Sequence, residues 1–389
     1  MTGICCICGG QTRHVHKVYY GEFIQIQGYE YQHISLCSQC GYIFAANPCP
    51  LEKTNNYYET TKRYAATKNR MERYLKSSKR QMRFIMDAVC LESLESVLEI
   101  GATSGCSLNL YKALGLEVCG TELSMQNVEY AKRHYNIELC QMDFDGFYDA
   151  NKKAYDLVIL SNVLEHIINP CSFMKQVSSI NSKYLFVSVP SFDYRYIDVP
   201  YGIFIPTHHS YFTLESLKNL MRGTKYKLAD AVLLLGGELS PNIPYSFPQI
   251  QTVWIKHEVD TFRSMLPTIS SEQYLKTYLE ESQKLTFKIA EIIKHIPDEM
   301  RLAVWCLSTH TAFLLKNTEL GQKNIIKFYD SNDTFYKRKV MGRKVDAFSK
   351  ADLELNGIEG ILISSYEHQI SISKQIEDSC VKCEIITLY

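Results

Sequence analysis

The stretch SVLEIGATSG (Ser96–Gly105) decides the fold. Val97, Leu98 and Ile100 make a short apolar strand, Glu99 places an acid at its end, and Gly101 and Gly105 bracket a loop. The following CSLNLYKALG reads as a helix. A strand that passes through a glycine loop into a helix suits a ligand carrying a nucleoside. The glycines let the backbone approach the ligand, and the helix amino-terminus lies beside it.

Working outward, the same alternation repeats. EVCGTEL, IELCQMDF, YDLVILSNV and YLFVSVP read as strands, with helices at MQNVEYAKRHY and near NPCSFMKQVSSI. Repeated strand–helix units predict a mostly parallel sheet covered by helices on both faces. A helical stretch with Tyr74, Leu75, Met82, Ile85 and Met86 at helical spacing leads into this block. PNIPYSFPQI (241–250) reads as a connector, followed by a long helix and a second, shorter α/β alternation. The expected segments are 1–55, 56–240, 241–299 and 300–389. The fold class is α/β: a Rossmann-like domain between an amino-terminal metal module and a smaller Rossmann-like domain.

Two cofactor classes compete for the glycine loop. A dinucleotide wants Gly-x-Gly-x-x-Gly, because its pyrophosphate must touch bare backbone. Ala102, Thr103 and Ser104 weaken that reading. S-adenosylmethionine carries no phosphate and tolerates Thr103. Glu122, at the end of the second strand, is placed to accept hydrogen bonds from ribose hydroxyls. Asp143, after the third strand, is placed to hold an adenine amino group, and Asn162 to face the cofactor.

The amino-terminal segment holds two Cys-x-x-Cys-Gly knuckles, Cys5/Cys8 and Cys37/Cys40. The two-residue spacing sets both sulfurs on one tight turn, and four thiolates fill a tetrahedral zinc ion completely. With no open coordination position, that zinc is expected to be structural. Cys6 can replace Cys5 in principle, but only Cys5 repeats the spacing of the second knuckle. Cys49 reads as a bystander.

Lys+Arg and Asp+Glu both number 42, a balance that argues against a dedicated nucleic-acid binder. No run of residues reaches the length of a membrane span, and the start lacks the pattern of an export signal. The 14 cysteines therefore read as reduced thiols and metal ligands, and the expected location is cytoplasmic.

Segments 97–105, 118–123, 139–145 and 155–170 resemble the class I S-adenosylmethionine-dependent methyltransferases, and NVLEHIINP (Asn162–Pro170) resembles the signature after their fourth strand. With the four-cysteine module and the carboxy-terminal α/β domain, the chain is similar to the zinc-containing sugar C-methyltransferases. The resemblance implies methyl transfer to C3 of a nucleotide-linked 4-keto-6-deoxy sugar. Carbon alkylation beside a ketone needs a base and a stabilised enolate. The family carries its catalytic histidine near Glu-His-x-Ser-Tyr-Phe, and THHSYF matches at His208, Ser210, Tyr211 and Phe212. His208 is thus the expected base rather than His209. Thr207 stands where the family has its acid, and Ile205 where it has a tyrosine. Methylation of oxygen or nitrogen on a sugar or another small metabolite therefore stays open, as does a degenerate methyltransferase acting as a binding subunit.

Glu165 and His166 form a second acid–imidazole pair at the mouth after the fourth strand, part of the fold signature, with a helix-start role as open as a chemical one; neither is the expected base. Tyr57 and Tyr58 lie where the resembled enzymes carry a substrate-side tyrosine, though packing accounts for them better. In the last domain, VWCLSTHTAFLL (Val304–Leu315) has the shape of a nucleotide-binding opening without its glycines, and Asp330 ends the next strand. No second nucleotide cofactor is expected there; the resemblance implies that this domain helps enclose the sugar, and a purely stabilising or dimer-forming role stays open.

Overall fold

The computed structural model describes residues 3–21, 26, 28–60, 68–151, 153–193, 199–235, 248–257, 269–336 and 338–389. Residues 241–247 of the expected connector lie outside that set. The chain forms two compact units: Met1–His16, His33–Arg195 and Thr207–Leu275 make one, and Lys17–Gln32, Tyr196–Pro206 and Lys276–Tyr389 the other.

The chain opens with strands β1 (Thr12–Tyr19), β2 (Tyr31–Cys37) and β3 (Ile43–Ala45). Helices Leu51–Thr60 and Lys68–Ala88 lead into β4 (Ser96–Ile100), β5 (Glu117–Thr121), β6 (Leu157–Ser161) and β7 (Tyr184–Pro190). Short β8 (Ser210–Tyr211) pairs with β3 in the first sheet. β9 (Tyr226–Leu234) and β10 (Gln249–Lys256) complete the second sheet, whose order is β5-β4-β6-β7-β10-β9.

In this second sheet β4 to β7 run parallel, and β10 runs antiparallel to both β7 and β9. All five residues of β4 are buried, as a parallel strand covered on both faces requires. Leu98, Val158, Leu160 and Val187 are completely buried in the core on one face, while Val97, Leu157 and Phe186 fill the core on the other. The helix Met125–Tyr135 has the bounds its sequence pattern predicts.

The expected third strand at IELCQMDF reduces to a single parallel bridge between Thr121 and Cys140. Immediately afterwards the Met142 N–H donates back to the Cys140 carbonyl at 2.9 Å, and Asp143 caps the helix Phe144–Ala150. The backbone turns away before a ladder can propagate.

The other unit carries the second α/β alternation. Its sheet contains β11 (Leu302–Trp305), β12 (Ile325–Tyr329), β13 (Lys339–Val340), β14 (Arg343–Asp346), β15 (Gly360–Ile363) and β16 (Glu384–Thr387). Their order is β13-β14-β12-β11-β15-β16, parallel except for β13. At the end of β11, Ser308 caps the helix Thr309–Asn317 in a reciprocal pair with Thr311. Asp330 accepts from the Leu307 N–H at 2.6 Å and the Asn332 N–H at 2.7 Å.

One polar clamp fixes the amino-terminal ends of the parallel strands of the second sheet. Asp156 Oδ2 accepts from the N–H groups of Glu95 at 2.9 Å and Ser96 at 3.0 Å, and from the Ser96 hydroxyl at 3.1 Å. Its other oxygen pairs with Lys183 at 2.8 Å, just before β7. Asp156→Ala leaves these donors unmatched and is expected to cost about 1–3 kcal/mol in urea unfolding. A change below about 0.5 kcal/mol would show that the clamp adds nothing beyond an ordinary surface position.

Candidate functional site

The loop after β4 is shaped by its two glycines. Gly101 and Gly105 have φ of 69° and 73°, a region in which a Cβ is strained. A Cβ on Gly101 would lie 3.0 Å from Val163 Cγ2, and one on Gly105 3.0 Å from the Ala131 Cβ. The loop is tied to β5 through Ala102 N–H to Thr121 O at 2.8 Å and Gly101 N–H to Thr121 Oγ1 at 3.3 Å. Thr103 itself adopts φ 46°. A β-branched residue held there stores about 1–3 kcal/mol of strain, which the surrounding structure must offset.

Two carboxylates flank this loop. Glu122 Oε1 accepts the Ser124 N–H at 2.9 Å. Burial pushes its carboxyl up, while hydrogen bonds from Ser124, Asn127 and the Thr103 and Leu123 N–H groups act the other way. The strained Thr103 thus turns its amide toward the acid that the sequence assigns to ribose. Glu99 is only 4% exposed and its Oε2 has no hydrogen-bond partner. Burial pushes its carboxyl up to about 8, with the Ser107 hydroxyl opposing and the Glu122 charge adding.

Asp143 caps its helix by accepting the Gly146 N–H at 3.0 Å, and its second oxygen lies 3.5 Å from Asn55 Nδ2. Asn162 has an exposed side chain on a left-handed turn at φ 55°, its N–H bound to Ser188 O at 2.8 Å.

The four cysteines Cys5, Cys8, Cys37 and Cys40 come together, with their sulfurs all within 4.8 Å of one another. Cys5 and Cys40 Sγ are 3.5 Å apart, as are Cys8 and Cys37 Sγ. Four sulfurs around one zinc at about 2.3 Å stand about 3.8 Å apart, so the cluster has the right dimensions. Both knuckles close alike: Gly9 N–H donates to Cys5 O at 2.9 Å and Gly41 N–H to Cys37 O at 3.1 Å. Cys6 is exposed, and neither it nor Cys49 joins the group.

This module also holds the segment that carries His208. β3, which follows the second knuckle, pairs with β8, and Ala45 N–H donates to His209 O at 2.9 Å. Tyr42 Oη and Ser210 Oγ are 2.5 Å apart. From the other side, His209 N–H donates to Glu165 O at 2.7 Å. His208 is buried, and its ring centroid lies 4.7 Å from that of His166 in an edge-to-face arrangement.

His166 Nδ1 lies 2.8 Å from Thr207 O and 2.9 Å from Tyr58 Oη. A carbonyl can only accept, so Nδ1 carries the hydrogen and Nε2 the lone pair. Burial lowers the His166 imidazole to about 4, with the Thr207 carbonyl opposing. Burial likewise pushes Glu165 up to about 8 and lowers His209 to about 4.

These features match known proteins over the middle of the chain. The methyltransferase-domain family matches residues 58–230, which contain the β4 loop, Glu122, Asp143, Asn162 and His208. That match assigns a methyltransferase domain to the middle of the chain, over somewhat less than half of its length. No curated protein sequence matches the chain. Among solved structures, it is similar to a SAM-dependent methyltransferase from Archaeoglobus fulgidus at 18% identity and TM-score 0.36, covering 47% of this chain and 94% of that one. Magnesium protoporphyrin IX methyltransferase from Synechocystis PCC 6803 is 14% identical with TM-score 0.39, covering 54% of this chain and 100% of that one. Likenesses of this degree carry no information about the acceptor.

The sequence places Glu165 and His166 after β6 without choosing between a helix-start and a chemical role, and the structure sets them beside His208. The signal available was positional: LEH follows β6, THH follows β7, and a doubly wound sheet brings the carboxyl ends of adjacent strands to one edge. Among the described residues, no helix is long and apolar enough to cross a membrane.

Glu99 generates a pH prediction. Folded, it keeps its proton to about pH 8; unfolded, it releases it near the ordinary glutamate value of about 4.3. The folded chain therefore binds the extra proton between these limits. The contribution of neutral Glu99 is complete below the lower limit and is lost as pH rises through the upper one. Glu99→Gln keeps the shape without the titration. In urea unfolding without cofactor, it should match wild type near the lower limit and exceed it above the upper one, by on the order of a few kcal/mol. An unchanged difference across the range would contradict the buried, proton-holding carboxyl.

Proposed function

We propose that this methyltransferase methylates a nucleotide-linked 4-keto-6-deoxy sugar at the carbon beside the ketone. The observation that carries the reading is the placement of His208, buried and next in the chain to His209, whose backbone is hydrogen-bonded to Glu165 and to Ala45 of β3, within the domain that holds the glycine loop. Gly101 and Gly105 would give the cofactor a close backbone approach, with Glu99 nearby, Glu122 on the ribose hydroxyls, Asp143 on the adenine amino group and Asn162 beside it. S-adenosylmethionine supplies an electrophilic methyl group on a sulfonium.

His208 takes the proton from the carbon beside the ketone, and the electron pair left behind delocalises as an enolate. That carbon forms the new bond to the methyl group as the carbon–sulfur bond breaks, leaving S-adenosylhomocysteine. His208 then gives its proton to solvent. The four cysteines hold one structural zinc, whose role is to fix β3 and, through it, the segment before β8. The domain division 1–55, 56–240, 241–299 and 300–389 belongs to the same proposal.

Thr207 and Ile205, standing where the resembled enzymes carry an acid and a tyrosine, favour a second reading: alkylation of oxygen or nitrogen. Mass spectrometry separates the two. A nucleotide-linked 4-keto-6-deoxyhexose is incubated with S-adenosylmethionine in deuterated buffer with wild type and with His208→Ala. Carbon methylation predicts an added methyl group and enzyme-dependent deuterium beside the ketone, both lost in the variant. A methyl group gained without deuterium exchange would move the reaction to oxygen, and no gain of either would remove the keto-sugar acceptor.

A further inference from the structure

Besides the thiolate cluster, one other set of metal-ligating atoms gathers among the described residues. Glu165, His166 and His208 each offer a ligand atom, all within 4.8 Å of one another. These groups lie in the methyltransferase unit and share no residue with the cysteine cluster.

Three observations bear on what this group can hold. Glu165 has only 2% of its side chain exposed, its Oε2 has no hydrogen-bond partner, and its nearer oxygen stands 3.9 Å from His166 Nε2. That separation is too long for a hydrogen bond but leaves room for an ion between the two. A buried carboxyl oxygen without a hydrogen-bond partner is costly, and a cation that displaces the carboxyl proton offsets that cost. His166 has its ring fixed as metal-bound histidines are fixed: Nδ1–H donates to the Thr207 carbonyl, leaving Nε2 as the ligand atom. Lastly, the backbone on which the trio stands is held in place. The His209 N–H bond to Glu165 O joins the two segments, and β3 braces the second of them.

We propose that Glu165, His166 and His208 form a second metal site, taking a divalent first-row ion through one carboxylate oxygen and two imidazole nitrogens. Zinc bonds to such ligands run to about 2.1 Å, which would draw the three atoms to about 3.4 Å apart by modest side-chain rotation. The set is harder than the four thiolates and leaves one or more coordination positions open. An ion there occupies the His208 lone pair, so ion binding and proton abstraction by His208 exclude each other. That consequence rests on the proposed role of His208; the binding itself does not.

The test titrates cobalt(II) into the full-length protein whose thiolate cluster is already loaded with zinc. The expected result is one further equivalent per chain, with a nitrogen–oxygen ligand-field spectrum and no thiolate charge-transfer band. Glu165→Gln and His166→Gln should each weaken it about tenfold or more, while thermal melting and the zinc content of the cluster stay at wild-type levels. If one variant fails to fold, the other decides. No further equivalent, or one bound equally well by both variants, would overturn the site. Adding zinc should also suppress deuterium exchange reversibly on chelation. Binding of the extra equivalent together with faster exchange would uphold the site and remove His208 as the base.

Discussion

The molecule depends on a strand with no free side. β4 is hydrogen-bonded to β5 along one edge and β6 along the other, and all five of its residues are buried. Such a strand has nowhere along its length to expose a polar group, so the chemistry moves to its exit. There the backbone turns through Gly101, Thr103 and Gly105, all at positive φ. The Gly101 and Ala102 amides then go to Thr121 and the Thr103 amide to Glu122, at the end of the neighbouring strand, while the Gly105 N–H donates to Ala102 O. The glycine loop is the polar termination of an apolar strand.

The same economy explains the amino-terminal module. A four-cysteine cluster is remote in sequence from His208, yet it packs into the methyltransferase core with Tyr42 and Phe212. It delivers β3 as the pairing partner of β8. Asn219 Nδ2 donates to Cys40 O at 3.2 Å, a further tie from the methyltransferase domain. The module is thus joined by backbone pairing to the segment that carries His208 and His209.

Much of this was legible in the sequence because it is local. The helix Met125–Tyr135 and strands β4 to β7 follow from hydrophobic periodicity, and the two knuckles follow from Cys-x-x-Cys-Gly spacing. What depended on distant partners was not legible. IELCQMDF has the composition of a strand, but the turn at Met142 and the cap at Asp143 end it after one bridge. Thr103 in a left-handed conformation violates its own preference, and its amide's bond to Glu122, with the ties of Gly101 and Ala102 to β5, helps hold it there. Glu165 and His208 are 43 positions apart by number, and their meeting depends on the β6–β7 edge and on β3.

The central claim is that the Ser96–Gly105 loop and Glu122 hold S-adenosylmethionine. Calorimetric titration of wild type and Glu122→Ala with the cofactor tests it most directly. One micromolar site per chain in wild type, weakened about tenfold or more in the variant, is the predicted result, since a hydrogen bond to a charged group contributes about 1.5–3 kcal/mol. Equal affinity in the two proteins, or no binding by wild type, would contradict it.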